Sequence, residues 1–161
     1  MRISILVAAL LAAAGSASAQ AVRTQHDVSL DLANRIATGA VAACAANGYS
    51  VAATVVDRAG VVRAVQRADN AGPHTLEASR LKAYTSASAK NTTLAIMETA
   101  QKNPAAANLG QIPGYLLLGG GVPLRAGNEV IGAIGVGGAP RGPLDELCAV
   151  AAIDKAKDAL Q

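Results

Sequence analysis

The chain has 161 residues, a formal net charge of +3, and neither tryptophan nor phenylalanine. So small a charge, without a basic stripe interleaved with aromatic residues, argues against a protein that binds nucleic acid. Hydrophobic residues make up 52% of the chain but aromatic residues only 2%, so the core must be built from Ala, Val, Leu and Ile. These side chains bury little area each, and we therefore expect part of the stability to come from assembly into a homo-oligomer.

Residues 1–19 have the pattern of an export signal. Arg2 supplies the charged region, residues 3–14 are apolar, and Ala17–Ala19 form a small-residue cleavage site. The apolar stretch is too short to span a bilayer comfortably, and the remaining sequence offers no candidate span. We expect cleavage after Ala19, export to a periplasm or secretion, and a mature domain of residues 20–161 with a net charge of +2.

The first half of the mature chain predicts a helix and a β-hairpin. Ser29 or Asp27 can cap the alanine-rich helix, which stops at Asn47-Gly48. A valine-rich strand follows over residues 49–57, and a turn ending at Gly60 leads into a return strand over residues 61–67.

The second half predicts two helices, three strands and a closing helix. The helices run from about Thr75, as N-cap, to Ala89 and from about Thr92 to Lys102, and a proline-broken loop follows. Strands are predicted over 115–118, 122–125 and 129–136, with a last helix after Pro143. The order α-β-β-α-α-β-β-β-α predicts a single α/β (α+β) domain with a mainly antiparallel central sheet of about five strands, flanked by helices.

Cysteines and glycines receive structural interpretations. Cys44 and Cys148 lie in alanine-rich helical stretches, where a buried free thiol behaves as a small apolar residue. Export makes a disulfide chemically possible, but free thiols are the expectation.

The glycine-rich segments 119–121 and 132–138 match neither of the nucleotide-binding motifs GxxxxGK(S/T) and GxGxxG. We interpret them as bulges, close backbone approaches, or room for a flat ligand or a neighbouring subunit.

The best candidate site is the loop-to-helix junction that carries His74. An imidazole there could ligate iron, either in haem or as a bare ion, although an exposed histidine with no role is the plainer alternative. Glu77 could share a face with His74, and a third ligand would have to come from Asp69 or from another subunit. Tyr84 and Tyr115 are the next donors to consider.

The cations near His74 suggest an anion site. Arg80 and Lys82 could bind a carboxylate such as a haem propionate, or Arg80 could simply pair with Glu77. Arg63 and Arg67 alternate with valines and so share one strand face. If that face turned towards the helix of Arg80 it would form an anion site, and otherwise it is a solvated sheet edge. No nucleophile motif is present, so the catalytic residues stay unassigned.

Residues 55–73, 77–93 and 119–149 together resemble the GlcG/HbpS-like family, which includes the C-terminal domain of PduO. The resemblance covers about residues 28–160. It rests on the VVD-x-x-G turn, on the helix with Arg80, Lys82, Ala83 and Thr85, and on the GG-x-P…G-x-IGV-x-G-x…DE ending.

That resemblance implies an antiparallel sheet flanked by helices, frequent oligomerisation, and binding of haem or a related tetrapyrrole. For exported members it also implies haem sequestration, iron binding or haem degradation. Iron-binding relatives carry E-x-x-E pairs, whereas Glu77 is followed here by Arg80, which favours haem over ferric iron. The alternatives are an enzyme or binding protein for a small carboxylated metabolite, and a non-catalytic accessory oligomer.

Overall fold

The computed structural model describes residues 22–161, so the predicted export signal lies outside the described residues. The elements are, in chain order, α1 (Leu30–Ala45), β1 (Ala52–Asp57), β2 (Val62–Arg67), α2 (His74–Ala89), α3 (Thr93–Lys102), a 3-10 helix (Pro104–Gln111), β3 (Gly121–Ala126), β4 (Glu129–Gly137), α4 (Gly142–Lys155) and a short 3-10 turn (Lys157–Ala159). Within these residues no helix is long and apolar enough to cross a membrane.

The strands form one antiparallel sheet in the order β2-β1-β4-β3. The predicted α+β domain with an antiparallel sheet and flanking helices is therefore confirmed, with four strands instead of about five. The sequence places β1 and β4 in the middle of the sheet because both are almost completely apolar, as strands covered on two faces must be. β2 and β3 are its edges.

Helices cover the two sheet faces unequally. α1 and α4 pack on one face and form the main core with residues such as Ile36, Val55 and Ile134. α2 lies on the other face, over β1, β4 and β3, and reaches β2 only at its margin. Its close approach to β4 requires Gly135, where a side chain would collide with the backbone of α2. This is the close approach that the glycine pattern predicted.

The predicted strand at residues 115–118 is wrong, because its backbone groups bond to side chains of helices. Leu116 N donates to Thr85 Oγ1 at 2.8 Å, and the carbonyl of Leu118 accepts from Thr93 Oγ1 at 2.6 Å. Thr93 Oγ1 also accepts from Gly121 N at 2.8 Å. The apolar run YLLL suggested a strand, but hydroxyls on α2 and α3 satisfy the backbone without a neighbouring strand.

The expectation of free thiols is also wrong: Cys44 and Cys148 form a disulfide that joins α1 to α4. Their Cα atoms lie 5.4 Å apart although the residues are 104 positions apart in the chain. Both cysteines are buried in the main core. Only the packing of the two helices brings them together, so no local sequence pattern could have shown the pair.

Helix starts follow the capping rules in two helices and depart from them in α2. Ser29 accepts from Leu32 N, and Thr92 accepts from Ala95 N, as N-caps do. α2 begins one residue before the predicted cap, at His74, with Pro73 before it. Thr75 lies inside the first turn, where its hydroxyl donates to Gly72 O at 2.6 Å, so the assignment of Thr75 as N-cap is wrong.

Candidate functional site

One part of the sheet is left uncovered on the face that α2 occupies. Val65 pairs with Thr54, and the hydroxyls of Thr54 and Ser79 on α2 share a hydrogen bond of 2.7 Å. Ala64, next in the strand, is buried on the α1 side. Since neighbouring strand residues point to opposite faces, Val65 and Arg67 face the α2 side, where α2 does not reach them.

A β-bulge modifies the predicted alternation of β2. Val62 pairs with Val56, which packs on Ala83 of α2, so Val62 also faces the α2 side. Arg63 is the extra residue between Val62 and Ala64. Strict alternation therefore does not fix its direction. Only Arg67 is placed on the α2 side, and the shared face of Arg63 and Arg67 stays a prediction.

A stripe of α2 borders this uncovered face. Leu76, Arg80 and Tyr84 follow at four-residue spacing and so lie along one side of the helix. Tyr84 contacts Gly60 in the turn between β1 and β2, which places this side of α2 next to β2. We call the surface formed by Val62, Val65 and Arg67 of β2 and by Leu76, Arg80 and Tyr84 of α2 the α2–β2 trough.

The trough combines apolar surface with cations. Val62, Val65 and Leu76 remain 42%, 44% and 39% exposed. The guanidinium of Arg67 is oriented by the carbonyl of Ala71, to which its Nε donates at 3.1 Å. An exposed apolar patch rimmed by polar groups is typical of a surface that binds something.

Arg80 is held by Glu77 at the edge of the trough. Its Nε and Nη2 donate to the two carboxylate oxygens of Glu77 at 2.8 and 2.6 Å. The pair raises the pKa of Arg80 and lowers that of Glu77. The bidentate geometry orients the guanidinium, but both side chains are exposed enough that the pair adds little to stability.

Tyr84 is fixed between two glycines. A Cβ atom added to Gly60 would lie 2.8 Å from the ring, and a Cβ atom added to Gly114 would lie 3.1 Å from it. Both glycines have positive φ, of 81° and 85°. Tyr115 packs edge-on against Tyr84 with ring centres 6.4 Å apart, and its hydroxyl shares a hydrogen bond of 2.9 Å with Ser88. The two predicted tyrosines are therefore brought together.

His74 lies apart from the trough, at the first turn of α2. It is exposed, and its ring rests against the backbone of Gly72. His74 precedes Tyr84 by ten residues, which at 1.5 Å per residue is about 15 Å along the helix. Within residues 22–161 no group of three or more His, Cys, Asp or Glu side chains could hold a metal ion, so Asp69 and Glu77 do not complete a bare-ion site with His74.

Lys82 points away from the trough into the protein. Its ammonium donates to Asp145 Oδ2 at 2.8 Å and to the carbonyl of Val136 at 2.9 Å. Both side chains of the ion pair are only 4% exposed. The second oxygen of Asp145 accepts from Ala139 N at 2.9 Å. Because the ammonium is buried and occupied, we do not carry Lys82 into the candidate site.

The glycines of residues 119–121 surround this ion pair. A Cβ on Gly120 would lie 3.1 Å from the Lys82 ammonium, and one on Gly119 would lie 2.9 Å from the backbone of Gly142. The segment serves the contact between α2 and α4, as the structural interpretation of the glycines expected. Sequence reasoning missed Val62 and Leu76 as site residues, since an isolated valine or leucine carries no signal of its own.

Comparisons with known proteins agree with the fold. The model of a family described as "Haem degrading protein HbpS-like" matches residues 28–154. A crystal structure of HbpS is 35% identical and covers 84% of this chain and 94% of its own, with a TM-score of 0.79. The Klebsiella pneumoniae protein ORFY is 28% identical and covers 83% and 93%, with a TM-score of 0.78.

A third structure, PduOC in complex with haem, shares the fold at 22% identity. It has a TM-score of 0.71 and covers 80% of this chain and 94% of its own. No curated protein matches the sequence significantly. Since the family model spans most of the described residues, the chain belongs to the HbpS-like family of haem-degrading proteins.

Proposed function

We propose that the protein is exported, binds haem in the α2–β2 trough, and either sequesters the haem or assists its degradation. The family description, the 35% identical HbpS and the haem complex of PduOC support this proposal. The observation that carries it is the trough itself. It combines exposed apolar side chains, two arginines and the half-buried Tyr84 on one surface.

The apolar part of the trough suits a porphyrin ring. Val62, Val65 and Leu76 come from two elements, and each keeps more than a third of its surface in water. Covering such surface contributes about 25 cal/mol per Å² of apolar area removed from water. A flat macrocycle is the shape that an uncovered sheet margin beside a helix can accept.

The arginines suit the propionates. Arg67 lies on β2 and Arg80 on α2, so they approach the trough from its two sides. Arg80 uses Nε and Nη2 for Glu77, which leaves Nη1 for a propionate. Bidentate binding of a propionate by Arg80 would instead displace Glu77, and we expect the removal of Glu77 to strengthen haem binding.

His74, Tyr84 and Tyr115 are the candidate iron donors, since imidazole and phenolate both ligate haem iron in proteins. A separation of about 15 Å along α2 prevents His74 and Tyr84 from ligating the same iron. Haem therefore takes one donor from this helix.

A hemin titration of the apoprotein, followed in the Soret region, tests the proposal. Leu76→Glu introduces a carboxylate in the trough and should weaken binding. Leu30→Glu is the matched control, because Leu30 is a 55% exposed helical leucine on α1, on the opposite side of the sheet. Equal affinity of the two variants would remove the trough as the binding surface.

A second candidate function is binding of a small carboxylated metabolite, and Arg67 and Arg80 favour it. Stabilisation of the apoprotein against heat by small organic acids, with no response to hemin, would support this candidate in place of haem.

Export and assembly are separate parts of the proposal. Cell fractionation with and without residues 1–19 tests export. Light scattering on the purified protein tests the homo-oligomer, for which the exposed Leu147 and Val150 on α4 provide apolar surface.

A further inference from the structure

The tyrosine at the end of the trough is better prepared to bind a metal than the histidine at the start of α2. We infer that Tyr84, and not His74, is the axial ligand of ferric haem, binding through its phenolate oxygen. The inference rests on the proposed function and adds the identity of the iron donor.

The ring of Tyr84 is held in place before any ligand arrives. Gly60 packs along one edge of the ring, at Cδ2 and Cε2, and Gly114 along the other, at Cδ1 and Cε1. Tyr115 adds an edge-on contact. A ligand fixed by its surroundings on a helix loses little freedom on binding, which favours Tyr84 over a mobile side chain.

The hydroxyl of Tyr84 is available, whereas that of Tyr115 is occupied. No residue within 22–161 makes a hydrogen bond with the Tyr84 hydroxyl, and the Tyr84 side chain is half-buried. The Tyr115 hydroxyl shares its hydrogen bond with Ser88. Of the two tyrosines, Tyr84 can therefore bind a metal without breaking an existing contact.

Arg80 lies one turn before Tyr84 on the same side of α2. Residues four positions apart are neighbours on a helix surface, so the two side chains lie next to each other. A propionate bound at Arg80 would therefore bring the haem beside Tyr84.

His74 offers none of these features. Its exposed ring lies against Gly72, outside the trough. At 100° per residue, His74 lies about 160° from Leu76 and about 120° from Arg80 around the helix, so it faces away from the side that borders the trough. Iron bound at His74 would lie about 15 Å along α2 from Tyr84, and therefore away from Val62 at that end of the trough.

The bonding step balances without any redox change. At neutral pH the Tyr84 hydroxyl gives its proton to the hydroxide on ferric hemin, water leaves, and the phenolate oxygen takes its place. Iron remains ferric throughout. The phenolate is an anionic oxygen donor of the kind that holds ferric haem iron in some haem proteins.

Three single variants test the inference with hemin as the probe. Tyr84→Phe removes the hydroxyl but keeps the ring between the two glycines, so the fold should survive; thermal unfolding checks this. We expect at least about a tenfold loss of hemin affinity, the lower end of what even a partner outside the coordination shell contributes. We also expect loss of the tyrosinate stretching bands in the resonance Raman spectrum. His74→Ala and Tyr115→Phe should keep both affinity and bands.

Three results would overturn the inference in distinguishable ways. If wild-type protein binds hemin and Tyr84→Phe gives the same spectrum and affinity, the ligand assignment fails while haem binding stands. If His74→Ala alone loses the spectrum, His74 is the ligand. If wild-type protein shows no Soret change with hemin, the proposed function fails and the ligand assignment fails with it.

Discussion

Replacing Lys82 by methionine should destabilise the protein far more than removing the whole ion pair. At 2.8 Å between Nζ and Oδ2, Coulomb attraction amounts to about 6 kcal/mol at an effective dielectric constant of about 20. Desolvation of two buried ions costs several kcal/mol each and offsets most of that gain. Lys82→Met removes the attraction but leaves Asp145 buried, so we expect a loss of about 3–5 kcal/mol.

The double variant Lys82→Met/Asp145→Asn removes the unpaired carboxylate charge but keeps a side-chain oxygen that can accept the hydrogen bond from Ala139 N. Its free energy of unfolding, measured in urea beside both single variants, should recover at least about 1 kcal/mol relative to Lys82→Met. A double variant as unstable as Lys82→Met would refute the reasoning. Hemin affinity should be the same in folded Lys82→Met and in wild type, because the ammonium lies outside the trough.

The pH dependence of Lys82→Met gives an independent check. Burial raises the pKa of Asp145, and Lys82 is the main influence that lowers it. Without Lys82, Asp145 in the folded variant should keep its proton at pH values where Asp145 in the unfolded chain, with its ordinary pKa of 3.8, has lost it. The free energy of unfolding of the variant relative to wild type should therefore increase as the pH falls towards that value. A constant difference would contradict this account.

Three further predictions concern other parts of the fold. Cys44→Ala/Cys148→Ala should lose about 2–5 kcal/mol in urea unfolding, because the disulfide closes a long loop in the unfolded chain; equal stability of oxidised and reduced wild-type protein would contradict it. Burial raises the pKa of Glu146 above 4.5, so the ionised carboxylate destabilises the folded protein increasingly as the pH rises above 4.5. Glu146→Gln should therefore have a higher melting temperature than wild type at pH 7, and the difference should shrink as the pH falls towards 4.5. Gly60→Ala should cost about 1–3 kcal/mol and weaken hemin binding, since the new Cβ displaces Tyr84, whereas an unchanged melting temperature would show that the ring has room to move.

Local patterns predicted the elements because the forces that form them are local. Ser29 and Thr92 cap the helices that follow, and the valine-rich runs around Gly60 form the predicted hairpin. The exceptions also have physical causes. Residues 115–118 have the composition of a strand, but Thr85 and Thr93, distant in sequence, provide the hydrogen bonds that a neighbouring strand would have made.

The candidate site was predictable in part. Sequence placed Glu77, Arg80, Lys82 and Tyr84 on one helix and His74 on the loop just before it, whereas the structure has His74 as the first residue of that helix. It could not show which way each points, since a small change in where the helix packs rotates every side chain. The structure separates them, with Arg80 and Tyr84 in the trough and Lys82 in the core.

By itself, then, the sequence determined the order of the helices and of the four strands of the sheet, the family, and the helix that carries Glu77, Arg80 and Tyr84. These depend on capping, hydrophobic periodicity and turn residues within a few positions of each other. The tertiary structure alone decided that Cys44 bonds to Cys148, that Lys82 forms a buried ion pair with Asp145, and that α2 leaves the margin of β2 uncovered. Each of those outcomes joins residues tens of positions apart, and only the packing of helices on the sheet sets such distances.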